Sequence, residues 1–337
     1  MTGLLLTYSW LSVLLIIIGF VFLIYGADWL VNGASALAKR YGVSNLVIGL
    51  TVVAFGTSMP EFIVSTIAAI EHNTEIAITN ILGSNAMNVF LILGASALIF
   101  PVSSQKSCRQ FDIPWNLLAG VLVLFFATYT RPIPICWGNF GEFSFQRGFI
   151  SGIGGTVLLI CFVIFMWHSF HFAKQNNDEE QDATPPMSIW KALFFILIGL
   201  GGLVLGGELI VKSATSIAHR IGVSDAIIGL TIVALGTSLP ELATSCMAAA
   251  KHNSDLALGN IIGSNIFNVF FILGTSAVIH PLPIYPGLWL DAALVLLSSI
   301  MVMAFVYCSK KHEINRWQGA LLLLTYAIYL AYRLTTL

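Results

Sequence analysis

The sequence predicts an all-α membrane protein of about ten transmembrane helices, arranged as two inverted-topology five-helix repeats. Three observations lead there. Of 337 residues, 57% are hydrophobic and only 9% charged, against about 25% charged in ordinary soluble domains. Apolar runs long enough to cross a bilayer recur from end to end. Residues 26–94 also superpose without a gap on 206–274 at a constant offset of 180, with 36 of 69 positions identical.

Apolar runs between polar breaks place the spans at about 8–31, 44–70, 76–100, 113–130, 148–168, 190–214, 224–250, 256–279, 287–308 and 317–334. The first reads as a retained helix, because it has neither a basic leader nor a small-residue cleavage site. The hydrophilic break 172–187 carries Lys174, Asp178, Glu179, Glu180, Asp182 and Pro185-Pro186, the composition of a flexible acidic tether. It divides the chain into a first repeat (1–171, duplicated core 26–94) and a second (188–337, duplicated core 206–274). An odd number of spans per half makes the second enter the bilayer from the opposite face.

Basic residues set the expected orientation. With the N-terminus outside, ten of the 15 Lys and Arg face the cytoplasm, among them Lys39, Arg40, Lys251 and Arg316; the five outside are Arg131, Arg147, Lys212, Arg220 and Arg333. Both termini are then external and the acidic tether is cytoplasmic. The location expected is a plasma membrane, or the inner membrane of a Gram-negative bacterium. A net charge of -1 leaves no basic stripe for nucleic acid. Five cysteines without paired spacing are expected to be structural. The bilayer is the expected surrounding, and no protein partner can be inferred.

Two segments place a carboxylate deep in a span: Gly56-Thr57-Ser58-Met59-Pro60-Glu61 and Gly236-Thr237-Ser238-Leu239-Pro240-Glu241. An ionised carboxylate at that depth costs at least about 2–3 kcal/mol unless something compensates it. A structural ion pair is the plain alternative, but no Lys or Arg occurs between Arg40 and Lys106, and only Lys251 between Arg220 and Lys310. A soluble cation is therefore the natural partner.

Pro60 and Pro240 remove a backbone donor one turn after Gly56 and Gly236, so each helix should break there. Backbone unwound at midplane survives where it lines a cavity, and its carbonyls suit hard cations; Ala54 and Ala234 are the expected contributors. Thr57 and Ser58 precede Glu61 by four and three residues, which puts them near its face if the helix stays regular. Thr237 and Ser238 stand likewise to Glu241. The next span of each half adds Gly83-Ser84-Asn85-Ala86-Met87-Asn88 and Gly263-Ser264-Asn265-Ile266-Phe267-Asn268, with Ser84 and Asn88, and Ser264 and Asn268, sharing a face. Small polar residues in membrane helices also serve only to join helices. The donors are all oxygen, which favours Na+, Ca2+ or Mg2+ over zinc or copper, with Mg2+ disfavoured by its reluctance to dehydrate. Two carboxylates balance one Ca2+, or attract two or three Na+.

These paired motifs resemble the two repeats of the cation/Ca2+ exchanger superfamily, specifically the sodium/calcium exchangers and their bacterial relatives. The resemblance covers both halves and is weakest across the last two spans of each. It implies secondary antiport of Ca2+ against Na+, with no cofactor and no enzymatic activity. It also implies that Glu61 and Glu241 are the principal ion ligands, supported by Thr57, Ser58, Thr237, Ser238, Ser84, Asn88, Ser264 and Asn268, with access alternating as spans one and six slide. The G-N-x-x-E pattern of the proton-driven branch is absent from both duplicated cores, 26–94 and 206–274. Several relatives carry Asp where this chain has Asn268, and the missing charge argues against K+ co-transport.

Proton-coupled Ca2+ antiport is the alternative within this superfamily. A passive channel fits the midplane clustering and inverted repeats less well, and the spans lack a catalytic arrangement such as Ser-His or His-Glu-x-x-His. Asp28 and Glu208 correspond across the repeat and are expected at helix ends near the interface. His72 and His252 are expected in turns. His168 and His171 are expected to anchor span five at the interface.

Overall fold

In lipid every backbone N–H and C=O needs a partner within the chain, so apolar runs of this length resolve into helices. The computed structural model describes residues 9–128, 149–172, 187–223, 232, 234–283 and 288–335. Helix α1 spans Ser9–Tyr41. A broken span follows as α2 (Asn45–Thr57) and α3 (Met59–Ile70), then α4 (Thr74–Ile99). The rest of the first half holds β1 (Val102–Ser103), α5 (Ile113–Thr128), β2 (Phe149–Ile150) and α6 (Gly152–Phe172). The second half holds α7 (Ile189–Arg220), the short α8 (Ala234–Thr237), α9 (Leu239–Ala250), α10 (Ser254–Ile279), β3 (Leu282–Pro283), α11 (Leu288–Cys308), β4 (Glu313–Ile314) and α12 (Arg316–Thr335).

Among the described residues six helices (α1, α4, α6, α7, α10 and α11) are long and apolar enough to cross a membrane, and a seventh span appears if α2 and α3 count as one. Helices α5, α9 and α12 occupy the remaining expected spans as shorter or less apolar segments. Residues 173–186 of the acidic tether, together with Cys136, Arg131 and Arg147, lie outside the described residues. The four other cysteines are free thiols.

Helices α1 and α7 run well past the expected ends at 31 and 214. Their stops are glycines in the left-handed region just beyond each helix, Gly42 (φ 61°) and Gly222 (φ 81°), with Lys39 and Arg40, and His219 and Arg220, on the last-turn carbonyls' side. The two pack antiparallel along glycines spaced by seven. A Cβ at Gly26 would lie 2.9 Å from the Gly199 carbonyl oxygen, and one at Gly199 only 2.7 Å from that of Gly26. Backbones come that close only where both side chains are absent.

Helices α4 and α10 form the centre. Their most apolar windows are 72% and 94% buried, against 28% and 33% for α1 and α7, which face outward. Around that centre the halves interleave. Strand β1 pairs with β4 of the other half, and β2 pairs with β3. Gly94 of α4 meets Gly319 of α12, just as Gly274 of α10 meets Gly155 of α6. On α5, Asn116 donates to Ser299 of α11 at 3.1 Å.

Candidate functional site

The Gly-Thr-Ser-x-Pro-Glu segments bend where proline requires it. Helix α2 ends at Thr57, Ser58 adopts φ -83°, ψ 7°, and α3 leaves at 49° with Pro60 in its first turn, where the missing N–H costs nothing. Ser238 (φ -91°, ψ 4°) repeats the break before α9. Glu61 and Glu241 thus sit in the first turns of α3 and α9, near positive helix ends. Each is only 1% exposed.

The break redirects the serines. A regular helix would keep Ser58 near Glu61, but Ser58 Oγ donates to Glu241 Oε1 at 2.9 Å, and Ser238 Oγ donates to Glu61 Oε1 at 3.1 Å. The expectation of same-helix pairing fails because the turn at Ser58 swings its side chain toward the other repeat. Thr57 and Ser264 lie beside Glu241, and Thr237 lies beside Glu61. Ser84 Oγ reaches Glu61 Oε1 at 3.3 Å and is itself 3.3 Å from Ser238 Oγ.

Two asparagines absent from the expected set brace the breaks. Asn80 Nδ2 donates to the Glu61 carbonyl (3.4 Å) and to Ser65 Oγ (3.0 Å). Asn260 Nδ2 does the same with the Glu241 carbonyl (3.4 Å) and Ser245 Oγ (2.9 Å). Thr57 Oγ1 donates to Asn260 Oδ1 at 3.1 Å, carrying the brace across the repeat boundary. Their identity in both halves was the available signal.

An amide ladder joins α4 to α10. Asn88 Nδ2 donates to Asn265 Oδ1 at 3.0 Å, Asn268 Nδ2 to Asn85 Oδ1 at 2.9 Å, and Asn85 Nδ2 to the Asn265 carbonyl at 3.3 Å. Asn88 opens a π-helical stretch (Asn88–Leu93), and Asn268 lies in another (Phe267–Leu273). Such widened turns recur at functional sites and cannot be seen in periodicity alone. The ladder leaves Asn88 Oδ1 and Asn268 Oδ1 buried without a hydrogen-bond partner, together with Glu61 Oε2 and Glu241 Oε2.

The Ala54 carbonyl accepts from Ser58 N (3.0 Å) and Thr57 Oγ1 (3.4 Å). Ala234 opens α8 at the equivalent place.

Among the described residues no Lys, Arg or His pairs with either glutamate. Lys251 is taken by Asp28 at 2.6 Å, with Asn32 Oδ1 also 2.6 Å from its ammonium, and Lys212 pairs with Glu208. Asp28 and Glu208 are not at helix ends, because α1 and α7 continue for three turns beyond them. His72 and His252 occupy turns at φ 62° and 60°. His168 stacks on Phe111 and His171 on Trp167.

A family profile for sodium/calcium exchanger proteins matches residues 11–171 and 191–335. The sodium/calcium exchanger MaX1 of Methanosarcina acetivorans is 31% identical over 340 residues, covering 94% of this chain and 97% of the relative. The putative antiporter CaxA of Alkalimonas amylolytica is 35% identical over 331 residues (94% and 97%), and the inner membrane protein YrbG of Escherichia coli 33% over 331 residues (95% and 96%). The solved sodium-calcium exchanger NCX_Mj, soaked with 10 mM Na+ and 10 mM Sr2+, superposes with a TM-score of 0.80 at 34% identity, covering 96% of this chain and 99% of that one. The doubled motif, the shared fold and matches along nearly the whole length agree that this multi-pass membrane transporter belongs to the sodium/calcium exchanger family.

Proposed function

We propose that the protein exchanges Ca2+ for Na+ across a plasma or bacterial inner membrane, by alternating access to a site between its two repeats. One observation carries the reading: Glu61 Oε2, Glu241 Oε2, Asn88 Oδ1 and Asn268 Oδ1 are buried acceptors without partners. Buried acceptors left this way call for a ligand that supplies positive charge. Ca2+ takes six to eight oxygens in flexible geometry, and the hydroxyls of Thr57, Ser58, Thr237, Ser238, Ser84 and Ser264 stand beside the carboxylates. The carbonyls of Ala54 and Ala234 lie one turn away.

The same two carboxylates hold either one Ca2+ or more than one Na+, so occupancy by one ion excludes the other. Mutual exclusion at one site is sufficient for antiport. The smooth glycine seam between α1 and α7 suits sliding of this pair over the buried core. Both termini are assigned to the outside, with Lys39, Arg40 and Lys251 facing the cytoplasm.

The test is uptake of radiolabelled Ca2+ into proteoliposomes with Na+, K+ and H+ gradients imposed separately. Only the Na+ gradient should drive substantial counterflow. Uptake driven by a pH gradient without Na+ would transfer the reading to proton coupling.

A further inference from the structure

We propose that His72 and His280 form a second cation site, distinct from the central one, that binds a transition-metal dication such as Zn2+ between the ends of the two repeats. Their Nδ1 atoms lie 3.1 Å apart and their ring centroids 4.4 Å apart. Two imidazole nitrogens bound to one Zn2+ at about 2.0–2.1 Å with tetrahedral angles stand roughly 3.3–3.4 Å apart. The pair therefore needs to open by a few tenths of an ångström, with each ring tilting its Nδ1 toward the ion and water completing the shell.

The backbone holds both rings in place. His72 sits in the turn between α3 and α4 at φ 62°, a left-handed conformation that histidine tolerates better than most residues. Its N–H donates to the Ala69 carbonyl at 3.3 Å. His280 follows the last turn of α10 in extended backbone, its N–H on the Ser276 carbonyl at 3.0 Å. His72 is exposed and His280 half-buried at the edge of the helix bundle. At rest one Nδ1–H serves as donor to the other Nδ1; in the metal-bound form both Nδ1 lone pairs face the ion and the protons reside on Nε2.

The repeat supplies an internal control. His252 occupies the turn equivalent to that of His72, at φ 60°, but the position equivalent to His280 is Phe100, whose ring lies edge-on to His252 at 4.2 Å. The opposite face thus has the same backbone and only one nitrogen-bearing ring. Imidazole selects borderline metals and the central oxygen cluster selects hard ones, so the two sites differ in cation class. No cluster of three or more His, Cys, Asp or Glu side chains suited to a metal occurs among the described residues, which makes this a two-ligand site.

A bound ion would tie the turn after the Glu61 helix to the end of the helix bearing Asn268. The experiment is Zn2+ titration of the full-length protein in detergent with Ca2+ in excess, followed by calorimetry and by melting temperature. One Zn2+ should bind and raise the melting temperature, as any ligand selective for the folded state does. H72A and H280F, the second copying Phe100, should each weaken binding by at least about tenfold, since losing a ligand costs no less than losing its outer-shell support. H168A/H171A should bind as the parent does. Undiminished Zn2+ binding in H280F, or its loss in H168A/H171A alone, overturns the proposal; so does failure of the parent to bind. None of these outcomes bears on whether the central site carries Ca2+ and Na+.

Discussion

The centre of the molecule keeps the repeat symmetry, and the two ends of the bundle do not. At the centre most contacts have a mirror: Ser58 to Glu241 answers Ser238 to Glu61, Asn80 to Ser65 answers Asn260 to Ser245, and Asn88 to Asn265 answers Asn268 to Asn85. Toward the ends equivalent positions hold different chemistry. Asp28 bridges to Lys251 across the repeats, while its counterpart Glu208 pairs within α7 to Lys212, and the position equivalent to Lys251 is Glu71. His72 meets a histidine, while His252 meets a phenylalanine. A site shared between halves constrains both, because each half supplies a serine hydrogen bond to the other's carboxylate. The two ends face different compartments and carry no such constraint.

The strongest way to break this comparison is at the glutamates. E61Q and E241Q should each abolish Na+-driven Ca2+ flux while the protein remains folded by gel filtration. Full activity in one of them would show that the two halves do not contribute alike.

The glycine seam should also be symmetric. A Cβ at Gly19 would lie 2.8 Å from the Gly206 carbonyl oxygen, and one at its counterpart Gly199 would lie 2.7 Å from that of Gly26; Gly201 has nothing within 4 Å. G19A and G199A should therefore each cost about 1–3 kcal/mol by overpacking, read as similar losses of melting temperature, with G201A near neutral. A neutral G199A would contradict the close packing of α1 on α7.

Removing one reciprocal hydrogen bond should be milder. S58A and S238A should raise the Ca2+ concentration for half-maximal uptake by about tenfold each, in line with a hydrogen bond to a charged group of about 1.5–3 kcal/mol. Unequal effects would mean that one glutamate dominates.

The smallest effect should be the one that departs from symmetry. K251A frees α1 from the turn between α9 and α10 and should change half-maximal uptake by no more than about fivefold, because partly exposed pairs contribute about 1 kcal/mol or less. K212A, whose pair stays within α7, should change it less. Equal effects from K251A and K212A would remove the functional meaning of the asymmetry.

These features are legible in the sequence to unequal degrees. Membrane class, the duplicated core, the two breaks and both glutamates follow from composition, offset and the positions of Pro60 and Pro240, all of which are local properties of the chain. Asn80 and Asn260 repeated in the same way, yet nothing local distinguishes an asparagine that braces a break from one that joins two helices. The ends of α1 and α7 are not legible in hydropathy, because polar residues such as Asn32 and Lys212 imitate a boundary near 31 and 214, whereas the actual stops are left-handed glycines.

The amino-acid order by itself determined that two carboxylates would lie in apolar surroundings without a basic neighbour in sequence, because hydropathy and charge are additive along a chain. Which serine reaches which glutamate, how the amides cross between α4 and α10, and that His72 finds a second imidazole were decided only by tertiary structure. These depend on helix breaks or turns and on contacts between residues 177 to 208 positions apart, and no periodicity within one segment encodes either.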